Sequence, residues 1–205
     1  GIEFEAGHQY DPYRSLRLLL PLFILLFSLG ACLASRLLFR RISNPFYRDM
    51  SNTDYLTQLK NRNAYQLDIG NRIAGKAQEG TGFILLDLNG LKHVNDTLGH
   101  DAGDVYITCV SKAYLNMRTR EAVMYRIGGD EFVVVMPDAD RDKIQDFMRR
   151  FGDMFNREAS MPEFTFSWGY SIYDPKADAD LYSTCRRADK NMYMRKQQYY
   201  KNKNT

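Results

Sequence analysis

Two adjacent carboxylates, Asp130 and Glu131, directly follow Gly128-Gly129 and precede the apolar run Phe132 to Val135. Like charges side by side repel unless a cation is near, and the usual cation is a metal or a metal-bound phosphate. A third acid stands where an acid is costly. Phe83-Ile84-Leu85-Leu86-Asp87-Leu88 is otherwise continuously apolar, the pattern of a strand buried on both faces. A carboxylate there needs a partner charge or a metal. Lys196 continues the apolar stripe of Leu181, Cys185, Ala188 and Met192. It therefore faces inward, and an inward lysine calls for an anion.

The elements that must position these residues follow from periodicity. Ala122 to Ile127 and Phe132 to Met136 make a hairpin, ended by Pro137. Gly128-Gly129 suits the positive φ that a two-residue hairpin loop requires. A helix is expected from Arg62, with Tyr65, Ile69, Ile73 and Ala77 at four-residue steps, stopped by Gly80 and Gly82. Asn89-Gly90 turns the chain after the Asp87 strand. A long amphipathic helix follows from Asp101, with Ala102, Val105, Tyr106, Cys109, Val110, Ala113, Tyr114 and Met117 on one face. Ile144, Phe147, Met148, Phe151, Met154 and Phe155 mark another helix. Phe166, Trp168, Tyr170 and Ile172 alternate with Thr165, Ser167, Gly169 and Ser171, so this strand presents one face to the core. A final helix runs from about Ala179.

The order is helix, strand, helix, helix, strand, strand, helix, strand, helix. Without the first helix this is an α+β fold with a ferredoxin-like βαββαβ core. Helices on one side of a mostly antiparallel sheet leave the end of the Asp87 strand beside the Gly128-Gly129 turn. Asp87, Asp130 and Glu131 then converge. Such a set holds one or two Mg²⁺ ions, and through them a nucleoside triphosphate.

The chain has 205 residues and a formal net charge of +3, too small an excess to argue for nucleic acid. Cys32, Cys109 and Cys185 lack metal-ligand spacing and read as free thiols. Leu18 to Ser35 contains no charged side chain, and about eighteen such residues suffice to span a bilayer. Gly30, Ala31 and Ala34 suit helix–helix contact. Arg36, Arg40 and Arg41 follow the run, which places its C-terminal side in the cytoplasm. The expected layout is an extracytoplasmic stub over 1–17, a transmembrane helix over 18–39, a linker over 40–52, a globular domain over 53–200 and a frayed tail over 201–205.

From about Asp54 to Gln198 the sequence resembles the GGDEF domains, the diguanylate cyclases. The resemblance rests on Asp54-Tyr-Leu56-Thr57-Gln-Leu59-Lys-Asn61-Arg62, Asp87-Leu-Asn-Gly-Leu-Lys92-His-Val-Asn95-Asp96, Gly99-His100-Asp101-Ala-Gly103-Asp104 and Arg126-Ile-Gly128-Gly129-Asp130-Glu131-Phe132. It implies condensation of two GTP into cyclic di-GMP, with one GTP held per domain and a homodimer needed for catalysis. It further implies Mg²⁺ (or Mn²⁺) held by Asp87, the Leu88 carbonyl and Asp130. Asn95 and Asp104 are expected to read the guanine edge. His100, Lys92, Gly128 and Gly129 are expected near the nucleotide, and Lys196 on its phosphates. Asp130 or Glu131 is the general base, and the resemblance does not choose between them. The expected location is the bacterial inner membrane, with the GGDEF domain in the cytoplasm. The alternative is an inactive GGDEF module that binds GTP or cyclic di-GMP and signals.

Two departures from the family pattern stand out. The family often has an arginine four residues after the phosphate lysine, where this chain has Tyr200. Many members also bind their own product at an arginine-x-x-aspartate motif before the Gly-Gly turn. The corresponding positions here are Thr119 and Ala122, while Arg118 and Glu121 lie one residue out of register.

Overall fold

The computed structural model describes residues 14–42, 52–75, 79–117, 119–162 and 164–203. The stub up to residue 13, the linker from 43 to 51, Ala77 and Arg118 lie outside the described residues. The chain divides into two units, one up to Met50 and one from Ser51.

The described residues of the first unit form helix α1, Arg14–Ile42, with Pro21 inside it. Its stretch Leu19–Phe39 has mean hydropathy 2.2 over 21 residues and is exposed throughout. That length and composition are enough to cross a bilayer. The Ser28 hydroxyl donates to the Leu25 carbonyl at 2.9 Å, so the polar group is satisfied within the helix itself.

The second unit carries a five-stranded sheet. Its strands are β1 Lys60–Asn61, β2 Gly82–Leu88, β3 Val123–Arg126, β4 Glu131–Met136 and β5 Phe166–Ile172. Its helices are α2 Arg62–Ala74, α3 Leu91–Leu98, α4 His100–Asn116, α5 Arg141–Glu158 and α6 Leu181–Lys203. The strand order is β1-β3-β4-β2-β5. Only β1 on β3 is parallel; β3–β4, β4–β2 and β2–β5 are antiparallel. The four strands after β1 have the ferredoxin-like order, as the element sequence requires. β1 is too short to leave a pattern in the sequence.

Helices cover both faces of the sheet, not one. On one side Ile84, Leu86 and Leu88 of β2 join Tyr106, Val110, Phe147 and Phe151 of α4 and α5. On the other, Phe83 and Leu85 join Ile69 of α2 with Leu181, Ala188 and Met192 of α6. The expectation of one covered side holds for the βαββαβ core alone; α2 and α6, outside it, close the second face. All seven β2 residues are buried as a result. Each large apolar side chain so buried contributes about 1.5–3 kcal/mol.

The aromatic face of β5 packs against the first core layer as expected, and the second layer covers its other face as well. Its aromatics Phe166, Trp168 and Tyr170 are half-buried, while Ser167, Gly169 and Ser171 are the buried set. They are small because α6 lies against them. A Cβ on Gly169 would stand 2.1 Å from the Met192 amide nitrogen. β5 is an edge strand, and α6 closes that edge. Arg187, Asn191 and Arg195, one helical turn apart, donate to the carbonyls of Ile172, Tyr170 and Trp168 at 2.7, 2.9 and 3.2 Å. Side chains thus satisfy acceptors that a sixth strand would otherwise take.

Several boundaries move. α2 ends at Ala74 with Gly75 as its cap, before Gly80, and Gly82 is already in β2. α6 continues through Lys201 to Lys203, where a frayed tail was expected. Asn89-Gly90 turns as expected, with Gly90 at φ +72°.

Candidate active site

The site forms where β2 ends beside the β3–β4 turn. In register, Asp87 of β2 sits opposite Glu131, the first residue of β4. The Leu88 amide donates to the Asp130 carbonyl at 3.1 Å, tying the strand end to the turn. Asp87, Glu131 and the backbone of Asp130 are thus brought together, as the topology predicted.

Arg126 holds the turn. Its guanidinium donates to the Asp54 carboxylate at 3.0 Å and to the Gly129 carbonyl at 2.9 Å. Asp54 in turn accepts from the Thr57 amide at 2.9 Å and the Thr57 hydroxyl at 2.6 Å. Burial alone would raise the Asp54 carboxyl, but the Thr57 bonds and Arg126 hold it below its ordinary value. The separated motifs around Asp54 and Arg126 are therefore one clamp. Sequence spacing gave no sign of that contact.

The glycine pair works by space, not by φ. Gly128 and Gly129 are absent from the positive-φ residues, which corrects the expected two-residue loop. The connection from Arg126 to Glu131 is four residues long, and the Ile127 and Gly128 amides both donate to the Glu131 carbonyl, at 3.0 and 3.3 Å. A Cβ on Gly128 would stand 2.5 Å from Glu131 Oε2 and 3.1 Å from its Cβ, whereas Gly129 has open space. Gly128 makes room for the Glu131 side chain.

Lys196 of α6 donates to Asp87 Oδ1. The inward lysine has its anion, and in this structure that anion is a carboxylate. Burial pushes the Asp87 carboxyl above its ordinary value; the charges of Asp130 and Asp189 add to the push, and Lys196 opposes it. Partial burial, then the charges of Asp130, Asp87 and Asp189, push up Glu131, with Arg62 working the other way. The end of the sheet is thus short of positive charge. Asp189 is the residue that sequence reasoning missed. It lies seven positions before Lys196, two turns back on the same face of α6. With Glu131, Tyr65, Cys185 and Met192 it lines a cavity of about 300 Å³.

Among the described residues, no three His, Cys, Asp or Glu side chains converge as a ready-made metal cage. A hard divalent ion such as Mg²⁺ takes one or two carboxylates and completes its shell with water and substrate phosphates. Asp87, the Leu88 carbonyl and Asp130 are all oxygen donors, and the surplus negative charge fits a hard divalent ion.

Asn95 of α3 lies against α4. A Cβ on Gly103 would stand 1.8 Å from Asn95 Oδ1, so only glycine admits the amide there. Among the described residues that buried oxygen has no hydrogen-bond partner, a costly state for a polar atom. Asp104, the next residue, is exposed in the same stretch of α4. His100 begins α4 and Lys92 lies in the first turn of α3, both exposed.

Residues 51–202 match the family described as diguanylate cyclase, GGDEF domain. The probable diguanylate cyclase DgcJ of Escherichia coli is 31% identical over 164 residues, 79% of this chain and 32% of that protein. The cyclic di-GMP phosphodiesterase PdeR of the same organism is 31% identical over 153 residues, 73% of this chain and 23% of that protein. The chain thus spans about a third or less of these relatives. The coiled coil and GGDEF domain of DgcB from Caulobacter crescentus, solved with c-di-GMP, superposes with TM-score 0.65 at 25% identity, covering 84% of this chain and 94% of that one. With the match extending across the clamp, the carboxylate pair and Asn95 of α3, the chain belongs to the GGDEF diguanylate cyclase family.

Proposed function

We propose that this chain is an active, membrane-anchored diguanylate cyclase, converting two GTP into cyclic di-GMP and two pyrophosphates. The observation that carries this reading is the cross-strand pair Asp87–Glu131 beside the turn that bears Asp130. Asp87 and Glu131 are both held above their ordinary values, burial being the first cause and neighbouring acids adding to it.

Asn95 and Asp104 take the guanine edge. The buried Asn95 oxygen accepts from the base, and Asp104 accepts from its amino and ring N–H groups. Adenine leaves these acceptors unpaired, which is a strong filter. Lys196 has its ammonium beside Asp87 and takes a phosphate oxygen when the nucleotide enters. Asp87, the Leu88 carbonyl and Asp130 would hold Mg²⁺ or Mn²⁺, which supplies Lewis-acid stabilisation of the charge on the reacting phosphate and its leaving group. The 3′-hydroxyl of one GTP attacks the α-phosphorus of the other, the bond to pyrophosphate breaks, and the hydroxyl proton goes to Asp130 or Glu131. Glu131 suits a base because burial, with Asp130, Asp87 and Asp189 beside it, holds its carboxyl above the ordinary value. Each domain brings one GTP, so two copies meet for each bond formed.

Helix α1 is the anchor in this reading, spanning the bacterial inner membrane with the GGDEF domain on the cytoplasmic side. A second reading, an inactive nucleotide-binding module, draws on Tyr200 at the family's arginine position. PdeR also bears the name of a phosphodiesterase, so sequence similarity alone does not fix the activity. Purified full-length protein with Mg²⁺ and GTP, followed for cyclic dinucleotide and pyrophosphate, separates the two. GTP that binds but is never consumed refutes the cyclase.

A further inference from the structure

Tyr200 is one helical turn beyond Lys196 on α6, and both side chains reach the same short stretch of chain. Lys196 bonds Asp87 at the end of β2, and the Tyr200 hydroxyl accepts from the Gly90 amide at 3.1 Å. Gly90 is the N-cap residue of α3 and, as a glycine, has no side chain of its own to cap the helix. Asn89, the natural candidate for the cap, is buried and committed elsewhere. Its amide nitrogen donates to the Thr165 hydroxyl at 3.1 Å, and its amide oxygen accepts from the Ser167 hydroxyl at 2.8 Å. Tyr200 is itself held in place. Tyr199 packs edge-on against it at 5.2 Å between ring centroids, and the Tyr199 hydroxyl accepts from the Thr165 hydroxyl at 3.3 Å.

We propose that Tyr200 is a latch on the phosphate side of the site, its hydroxyl and the nucleotide's phosphate tail competing for the Gly90 amide. This inference rests on the reading of Lys196 as the phosphate lysine. The Lys196 ammonium brings the phosphates to within a helical turn of Tyr200. An N–H group at a helix start is a natural phosphate donor, and here it already has an acceptor. An arginine at this position would add positive charge and leave the amide free. The tyrosine adds no charge and occupies the amide, so nucleotide entry must break one hydrogen bond. The chain therefore binds triphosphate more weakly than its other residues allow, and the deficit lies in the phosphate subsite, not in the guanine pocket.

Calorimetric titration of the full-length protein in detergent tests the latch, using α,β-methylene-GTP with Mg²⁺ as a ligand that is not turned over, and guanosine as a ligand without phosphates. Tyr200→Phe is expected to lower the Kd for the triphosphate about fivefold, the value of one ordinary hydrogen bond, and to leave guanosine unchanged. Tyr200→Arg is expected to tighten the triphosphate further, with a gain that shrinks as salt rises. An unchanged or weaker triphosphate affinity in Tyr200→Phe overturns the latch, as does an equal effect on guanosine. Wild-type protein that binds no triphosphate at all overturns the cyclase reading, and the latch with it.

Discussion

The ammonium of Lys196 donates to the carboxylate of Asp87 across 109 positions of sequence, joining the last helix to the central strand. Asp87 is 7% exposed, and among the described residues its opposing charge at bonding distance is Lys196 of α6. Even so, burial and the neighbouring acids outweigh Lys196, and the carboxyl is raised.

A raised carboxyl has a definite sign. The folded state holds the Asp87 proton more tightly than the unfolded chain. This group therefore favours folding below the unfolded value of 3.8 and costs stability as pH rises through the raised folded value. Asp87→Asn is expected to abolish cyclic di-GMP synthesis, by at least about a hundredfold. Its melting temperature at pH 7 is expected to equal or exceed that of wild type, and the gain should vanish in acid. Full activity would remove Asp87 from the site. A loss of several degrees would show that the Lys196 bond outweighs burial.

The Arg126 clamp gives a second expectation. Arg126 and Asp54 are 12% and 18% exposed at the side chain, and the guanidinium serves two acceptors that one ammonium cannot reach together. Arg126→Lys is expected to cost about 1–2 kcal/mol in denaturant unfolding. It should also lower kcat, because the turn that carries Asp130 loses its tie at Gly129. Wild-type turnover in this variant would mean that the turn is rigid without the clamp.

Legibility differed from part to part for physical reasons. The buried strand announced itself because seven residues under two helical layers must be apolar, and Asp87 stood out against them. The order of elements was enough to bring Asp87 and Glu131 together. What the sequence concealed was contact between distant surfaces. The two serines and Gly169 in β5 looked like a solvent face, yet they are small because α6 presses on them. Gly128 looked like a φ requirement and proved to be a clearance for Glu131. Asp189 left only a helical spacing from Lys196, a signal shared by every exposed acid on a helix.

Asn95 carries the third expectation. Its buried oxygen has no hydrogen-bond partner among the described residues, so a base that supplies an N–H gains more than a base that does not. Asn95→Ala is expected to cut the preference for GTP over ATP at least tenfold, measured as a ratio of binding constants. An unchanged ratio with reduced overall affinity would show that Asn95 only packs against α4.

Assembly supplies the fourth. If each domain brings one GTP, the unit from Ser51 onward is expected to be weakly active, with specific activity rising steeply with its own concentration. Full-length protein confined by α1 in a vesicle should lose that steepness. Specific activity of the unit from Ser51 that stays flat on dilution would contradict the need for a second copy.

The last expectation concerns product inhibition. The arginine-x-x-aspartate positions of the family correspond here to Thr119 and Ala122. Ala122 is buried at 3% exposure and has no group to offer a ligand. The Thr119 hydroxyl accepts from the Glu121 amide at 3.2 Å, a local turn contact. Glu121, the acid one residue out of register, is already paired: Arg150 of α5 reaches its carboxylate at 2.9 Å while also binding Asp146 at 2.8 Å. Recruiting Glu121 to a guanine would mean breaking that pair, and its longer side chain starts from a shifted position. Cyclic di-GMP is therefore expected to inhibit this chain weakly, without submicromolar binding to the nucleotide-free protein. Calorimetric titration with cyclic di-GMP, set beside product-inhibition kinetics, checks it. Submicromolar binding that disappears in Arg118→Ala, with GTP affinity unchanged, would mean that a displaced inhibitory site exists and that the Glu121–Arg150 pair opens to form it.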